Sequence, residues 1–306
     1  MMIVPAKSLT RKHPYSPVDR RKIRGMRVIL LRSGPSGGAN PLLDALEAEL
    51  RLAKAMAISL FPAEMDSSAS LPQADVAVLK DKTPVGLEWG RRLHEAGIPT
   101  VSPYPVTFLC RDKLRTNQVL VQAGLPVPEC RPVTGPEDLG SMLVDGAVIL
   151  KPRRGSRGRG IRIIRDSMDV PASWGAEEMF AQRYYEPEAL DRKIYRIGDD
   201  VFCVERVWPP VTPEEKQGRL IELDATTREL AMECGRLLGT EVYGVDVIEH
   251  EGRPWIVDLS SFPGFKGVPD AGARIARVVL RVAAEARHGV ASQEPASENE
   301  TLCTVP

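Results

Sequence analysis

The chain has 306 residues, 43% of them apolar and 27% charged, and its formal net charge is zero. A balanced charge gives no overall field to draw in nucleic acid or an anionic membrane, and no window approaches the roughly 18 unbroken apolar residues of a transmembrane helix. The length suits two or three packed modules of a soluble globular protein.

Residues 1–25 are basic and polar, hold three prolines and lack the apolar core of a secretory signal. They read as a disordered extension, with Met26 an alternative start. Residues 26–32 form a short β-branched apolar run, a buried strand. A glycine-rich turn follows over 33–40, then a helical spacing of leucines over 41–55. Residues 74–79 predict a second strand, 85–96 a second helix stopped by Gly97, and 98–101 a third strand. Strand and helix in alternation imply a parallel sheet with crossover helices.

A different pattern begins near residue 107. Residues 112–123 predict a helix closed by Gly124 and the Pro126/Pro128 pair. Residues 147–151 and 161–164 read as two strands around a glycine-rich loop. Residues 180–184, 193–197 and 201–207 continue as largely antiparallel strands, followed by a helix over 225–238. Strands at 242–248 and 255–259, a final helix at 271–286 and a polar, disordered tail from 290 complete the chain. The five cysteines are scattered (Cys110, Cys130, Cys203, Cys234, Cys303) without a C-x-x-C pair, which suits reduced thiols in a cytoplasm.

Three segments carry chemistry. The first runs from Val148 to Ile161. Glycines at a hairpin tip let backbone amides approach an anion. Ser156 adds a hydroxyl donor beside Gly158 and Gly160, and Lys151 ends the incoming strand with a positive charge. A strand follows the loop where a helix would follow a P-loop or dinucleotide fingerprint. The second segment pairs Asp246 and Asp258 on apolar strands that Glu251-Gly252 joins as a hairpin. They share a face if they pair directly, which needs a three-residue loop or a bulge at 251–253. Asp258 and Ser260 share a face in either case, and hard oxygens on one face suit Mg²⁺. The third is Asp112-Lys113 at a helix start, where Lys113 is placed to reach a phosphate. Gly34-Pro-Ser-Gly-Gly38 matches the nucleophile elbow of serine hydrolases, but it follows the first strand and has no marked histidine base.

Taken in order, these segments resemble the ATP-grasp superfamily over about residues 26–287. Arg111 to Thr116 with Gly124 to Pro128 resembles the opening helix and linker. Lys151-Pro with Gly155 to Gly160 resembles the lysine and phosphate loop. Gln182, Arg183, Tyr184 and Tyr185 resemble the hinge strand whose backbone meets adenine. Gly244-Val-Asp246 and Asp258-Leu-Ser260 resemble the metal strands, with Ser260 where the family has Asn. The resemblance implies a parallel α/β domain at 26–106, then a two-part ATP-grasp domain with largely antiparallel sheets, divided at 107–180 and 181–289.

What it implies for function is phosphoryl transfer from ATP with Mg²⁺, or Mn²⁺ in its place, in a cytoplasmic enzyme. Lys113, Lys151, Ser156, Gly158 and Gly160 would meet the nucleotide. Lys193 and Arg206 would act on phosphates or the acceptor, and Asp246, Asp258 and Ser260 would hold the metal. The glycine loop resembles that of the ribosomal-protein glutamate ligases. The leading expectation is therefore a carboxylate–amine ligase working through an acyl phosphate on a small-molecule or peptide acceptor. The stretch from Asp258 to Pro269 also resembles inositol trisphosphate kinases. A kinase, or a silent nucleotide-binding module on account of Ser260, stands as the alternative.

Overall fold

A computed structural model of the chain describes residues 25–34, 39–155, 158–173, 175–209 and 211–287. The expected extension and tail, the centre of the 33–40 turn and Ser156 lie outside the described residues.

The first layer starts with β1 (Arg27–Leu31), whose last four residues are buried. In α1 (Pro41–Leu52), Leu43, Leu46 and Leu50 recur at helical spacing and face the core. Then come β2 (Met56–Leu60), β3 (Val76–Leu79), α2 (Pro84–Glu95) and β4 (Thr100–Val101). The strands form a parallel sheet in the order β2-β1-β3-β4. Gly97 ends α2 at φ +73, a left-handed position that favours glycine.

Two short helices lead out of this layer, α3 (Tyr104–Leu109) and α4 (Lys113–Gln122). Asp112 caps α4 by accepting from Arg115 N at 3.1 Å. A second, antiparallel sheet follows: β5 (Cys130–Val133), α5 (Gly140–Leu143), β6 (Val148–Pro152), β7 (Arg162–Ile164) and β8 (Met179–Arg183), in the strand order β5-β8-β6-β7. Pro132 sits in the edge strand β5, where a missing ladder donor is tolerated. The strands flanking the glycine loop pair as the expected hairpin, Val148 opposite Ile164.

The third sheet is also antiparallel. It contains β9 (Asp191–Ile197), β10 (Asp200–Arg206), β11 (Arg219–Ile221), β12 (Val242–His250) and β13 (Arg253–Ser260), in the order β11-β10-β9-β12-β13. Helices α6 (Pro213–Gln217) and α7 (Ala225–Leu238) interrupt it, and α8 (Ala271–Arg287) follows it. The α/β class expected from the sequence, a parallel layer and then antiparallel sheets, is the one adopted.

The last helix ties the ends of the chain together. Ile275, Val279 and Ala283 of α8 share one core with Met26, Val28, Leu43 and Leu46, and with Tyr195 and Ile197 of β9. Arg287 clamps Asp75 at 2.6 and 2.8 Å. The first and third sheets are therefore held by common apolar contacts.

Candidate active site

Glu251 and Gly252 both lie in the left-handed region, at φ 52 and 66. They make the two-residue turn that matches the twist of a hairpin. The ladder runs from His250 opposite Arg253 to Val247 opposite Ile256, then shifts, so that Asp246 faces Asp258. The extra residue is Val257. The expected direct pairing of the two acids is present, but the bulge is in the strand and not at 251–253. The tight turn leaves no room for an added residue there. At Val257, moreover, the bulged carbonyl has a partner, Lys151 Nζ at 3.1 Å.

Three elements bring cations to this pair. On β9, Lys193 stands opposite Asp246 and reaches its Oδ2 at 2.8 Å. The lysine stem passes over Gly244, where a Cβ would lie 3.1 Å from Lys193 Cε and 3.0 Å from Pro263 Cγ. Arg206, from β10, meets Asp246 Oδ1 at 3.4 Å, and its buried Nε has no partner among the described residues. Lys113, the first residue of α4, meets Asp258 Oδ1 at 2.5 Å. Lys151, at the end of β6, donates to Gln182 Oε1 at 2.5 Å. The Asp246 and Asp258 side chains remain 20% and 27% exposed, so both are open to a ligand.

The electrostatics follow from that crowding. Burial, then the nearby Lys113 charge, pushes the Lys151 ammonium down to about 8. Burial opposes ionisation of Asp258, yet Lys113, Lys193 and Lys151 outweigh it and hold the carboxyl below its ordinary value. Burial and then Asp246 raise Asp191, at the start of β9, to about 6. An anion bound here would relieve lysine–lysine repulsion. Two facing carboxylates offer hard oxygen ligands to a divalent cation. Among the described residues no group of three or more His, Cys, Asp or Glu is arranged to hold a metal. A cation at this pair would therefore complete its shell with phosphate oxygens and water, as Mg²⁺ commonly does. Ser260 faces Gly244, two residues beyond Asp258 on the same side of β13.

The glycine loop is fastened to the start of α4. Arg153 is ion-paired with Asp112, Lys113 N donates to Arg153 O at 2.9 Å, and Arg111 donates to Arg154 O at 3.1 Å. Gly158 and Gly160 are exposed at φ 71 and 74. A Cβ on Gly160 would lie 2.8 Å from Pro152 Cγ. Lys113, Lys151 and the loop are thus one connected unit. The residues expected at an adenine hinge are more dispersed. Gln182 is buried beside Lys151. The Arg183 guanidinium turns into the second sheet's layer and donates to Met142 O and Gly146 O at 2.7 and 2.9 Å. The Tyr184 ring lies under Arg165, and Tyr185 stacks on His250 at 4.8 Å near the hairpin turn.

Two residues that sense the acid pair escaped the sequence reading. Asp191 opens β9 and is sensed through Asp246, Arg206 and Lys151. Lys82, just past β3, feels Cys110, Lys193, Arg111 and Asp258. The available signal for Lys82 was position, because ligands gather at the carboxyl ends of parallel strands.

Residues 110–282 match the model of a RimK-like ATP-grasp domain. The chain is similar to a "Probable alpha-L-glutamate ligase" of Xanthomonas oryzae pv. oryzae, 29% identical over 193 residues that cover 58% of this chain and 65% of that protein. The chain thus spans about 65% of the length of the first curated relatives it matches. In fold it is similar to a RimK domain ATP-grasp protein of Sphaerobacter thermophilus (TM-score 0.67, 20% identity, 83% of this chain and 99% of that one). It is also similar to the ATP-grasp ligase PsnB in complex with a precursor variant, Mg and ADP (TM-score 0.67, 16% identity, 85% and 99%). Among the described residues no helix is long and apolar enough to cross a membrane.

Proposed function

Because the chain belongs to the RimK-like ATP-grasp family, we propose that it is an ADP-forming carboxylate–amine ligase acting on a small-molecule or peptide carboxylate. The observation that carries this reading is the Asp246–Asp258 pair surrounded by Lys113, Lys151, Lys193 and Arg206. The glutamate-ligase relatives favour it over a kinase of the inositol-phosphate type.

In this reading an acceptor carboxylate oxygen attacks the γ-phosphorus of ATP. The bond to the β,γ-bridging oxygen breaks and ADP leaves. An amine then attacks the acyl carbon, loses a proton, and expels phosphate as the amide forms. Little covalent chemistry falls to the protein, whose task is positioning and charge neutralisation. Lys151 and Lys113 hold the phosphates, with Gly158 and Gly160 of the loop lending backbone amides and Ser156 a hydroxyl donor. Lys193 and Arg206 take the charge that develops on the transferred group. Gln182, Arg183, Tyr184 and Tyr185 form the strand along which the base lies. Asp246 and Asp258, with Ser260 beside them, hold Mg²⁺, which when bound neutralises phosphate charge; Mn²⁺ has the same oxygen preference.

The test is ³¹P NMR of the purified protein with Mg-ATP and pools of amino acids and carboxylates. ADP and free phosphate that require both a carboxylate and an amine support the ligase. AMP with pyrophosphate, or a stable phosphoester, overturns it.

A further inference from the structure

Two side chains of the first layer take hold of the chain where it leaves β13. Ser102, just past β4, is buried and places its Oγ 2.5 Å from both Val242 O and Ser261 O. Lys80, just past β3, donates from Nζ to Phe262 O and Pro263 O at 3.0 and 2.7 Å. Its ammonium also lies 5.3 Å from the centre of the buried Phe262 ring. The successive carbonyls of Ser261, Phe262 and Pro263 are thus all held from another layer. The two bonds from Lys80 are charge-assisted, the stronger kind.

The turn held in this way packs onto the site. A Cβ built on Gly244 would lie 3.0 Å from Pro263 Cγ and 3.1 Å from Lys193 Cε. The proline ring and the lysine stem therefore border the same space above Gly244, which stands opposite Ser260 on β13 and Tyr195 on β9. Beyond that point Lys193 Nζ meets Asp246 Oδ2 at 2.8 Å. Behind the turn, Phe262 meets Phe265 edge-on at 5.7 Å, and Phe265 packs on Tyr195 at 5.3 Å. An ammonium on a flexible four-carbon stem is placed only as well as that stem is confined.

We infer that Lys80 is a positioning residue for phosphoryl transfer. By holding the Phe262 and Pro263 carbonyls it seats the proline over Gly244, and so confines Lys193 beside Asp246, where Lys193 meets the γ-phosphate. This rests on the ligase reading above, in which Lys193 and Arg206 serve the transferred group. Lys80 touches no substrate and acts through the turn. Its influence falls on the γ-phosphate, because the placement of Lys113 and Lys151 is set by α4, β6 and the glycine loop.

The experiment measures Mg-AMPPNP and Mg-ADP affinity of the full chain by calorimetry, with the melting temperature of each variant. Lys80→Met keeps the stem and removes the donors. It should weaken Mg-AMPPNP by about fivefold or more and leave Mg-ADP within about twofold. Lys80→Arg, with donors for both carbonyls, should restore most of the loss. Pro263→Ala leaves Lys80 and the carbonyls in place and removes the ring over Gly244. It should show the same selective weakening, which keeps the inference testable if Lys80→Met fails to fold. Lys193→Met should show the selective loss directly, and the double variant Lys80→Met/Lys193→Met should bind no more weakly than Lys193→Met alone. Equal weakening of both nucleotides in Lys80→Met overturns the inference, since Lys80 is then only structural. Multiplied losses in the double variant overturn it too, as does unchanged Mg-AMPPNP affinity in Lys80→Met or Pro263→Ala. A Lys193→Met that binds like wild type overturns the inference together with the role of Lys193. A wild type that binds neither nucleotide overturns the ligase reading itself.

Discussion

Asp246 and Asp258 face one another across β12 and β13 because Val257 is an extra residue in the hairpin. In a regular ladder Val257 would stand opposite Asp246, and the Asp258 carboxylate would point to the other face. The bulge thus brings two acids to one point. If both serve one cation, their removal is not additive. Asp246→Asn and Asp258→Asn should each lower turnover by about a hundredfold, and the double variant by little more. Turnover against Mg²⁺ concentration checks this. Multiplied losses in the double variant would mean that the acids act separately.

Lys151 is a second point of leverage. Its charged form persists below about 8 and is lost as pH rises through that value. Affinity for an ATP analogue should therefore fall above pH 8, by at most about tenfold per pH unit for one titrating group. Lys151→Met should bind more weakly and lack that step. Calorimetric titrations between about pH 7 and 9.5 would show it.

Asp191 gives a stability prediction of definite sign. Its native value, raised to about 6 from an ordinary 3.8, means that the native state binds its proton more tightly than the unfolded chain does. Stability from this group is complete below the ordinary value and is lost as pH rises through about 6. The loss is of order 3 kcal/mol for a shift of this size. Asp191→Asn should flatten the decline, so that urea midpoints at pH 4 and pH 7 converge relative to wild type.

The parts legible in the sequence were those whose local pattern already matched their surroundings. The run Val148, Ile149, Leu150 is β-branched or aliphatic throughout and folds as a fully buried strand. Edge strands were not legible. In β2, Met56 is 57% exposed and the other four side chains are half-buried, so no clean run or alternation marks it. Pro132 hid β5 for the same physical reason that it is tolerated at an edge. Within the site, Lys113 and Lys151 could be named because they adjoin a helix cap and a glycine loop, and Lys193 and Arg206 because the segments that bear them resemble an ATP-grasp hairpin. Lys82 follows a strand as many solvated lysines do. The bulge at Val257 was likewise undetermined, since a longer turn would give the same pairing.

The final helix raises a question of mechanical coupling. α8 crosses α1 at Gly272, where a Cβ would lie 2.8 Å from Ala45 Cβ and 3.0 Å from both Ala45 C and Leu46 N. Two of those atoms are backbone, so a side chain cannot be absorbed by a rotamer change. Gly272→Val should force the helices apart and cost about 1–3 kcal/mol, as overpacking of a close contact does. The same core contains Tyr195 and Ile197 of β9, the strand that carries Lys193. Separation of α8 from α1 should therefore loosen the wall that holds Lys193 against Asp246. The expected result is a lower melting temperature together with weaker Mg-AMPPNP binding, although Gly272 belongs to no part of the nucleotide site. A lower melting temperature with unchanged nucleotide affinity would show that the first layer is mechanically independent of the third sheet.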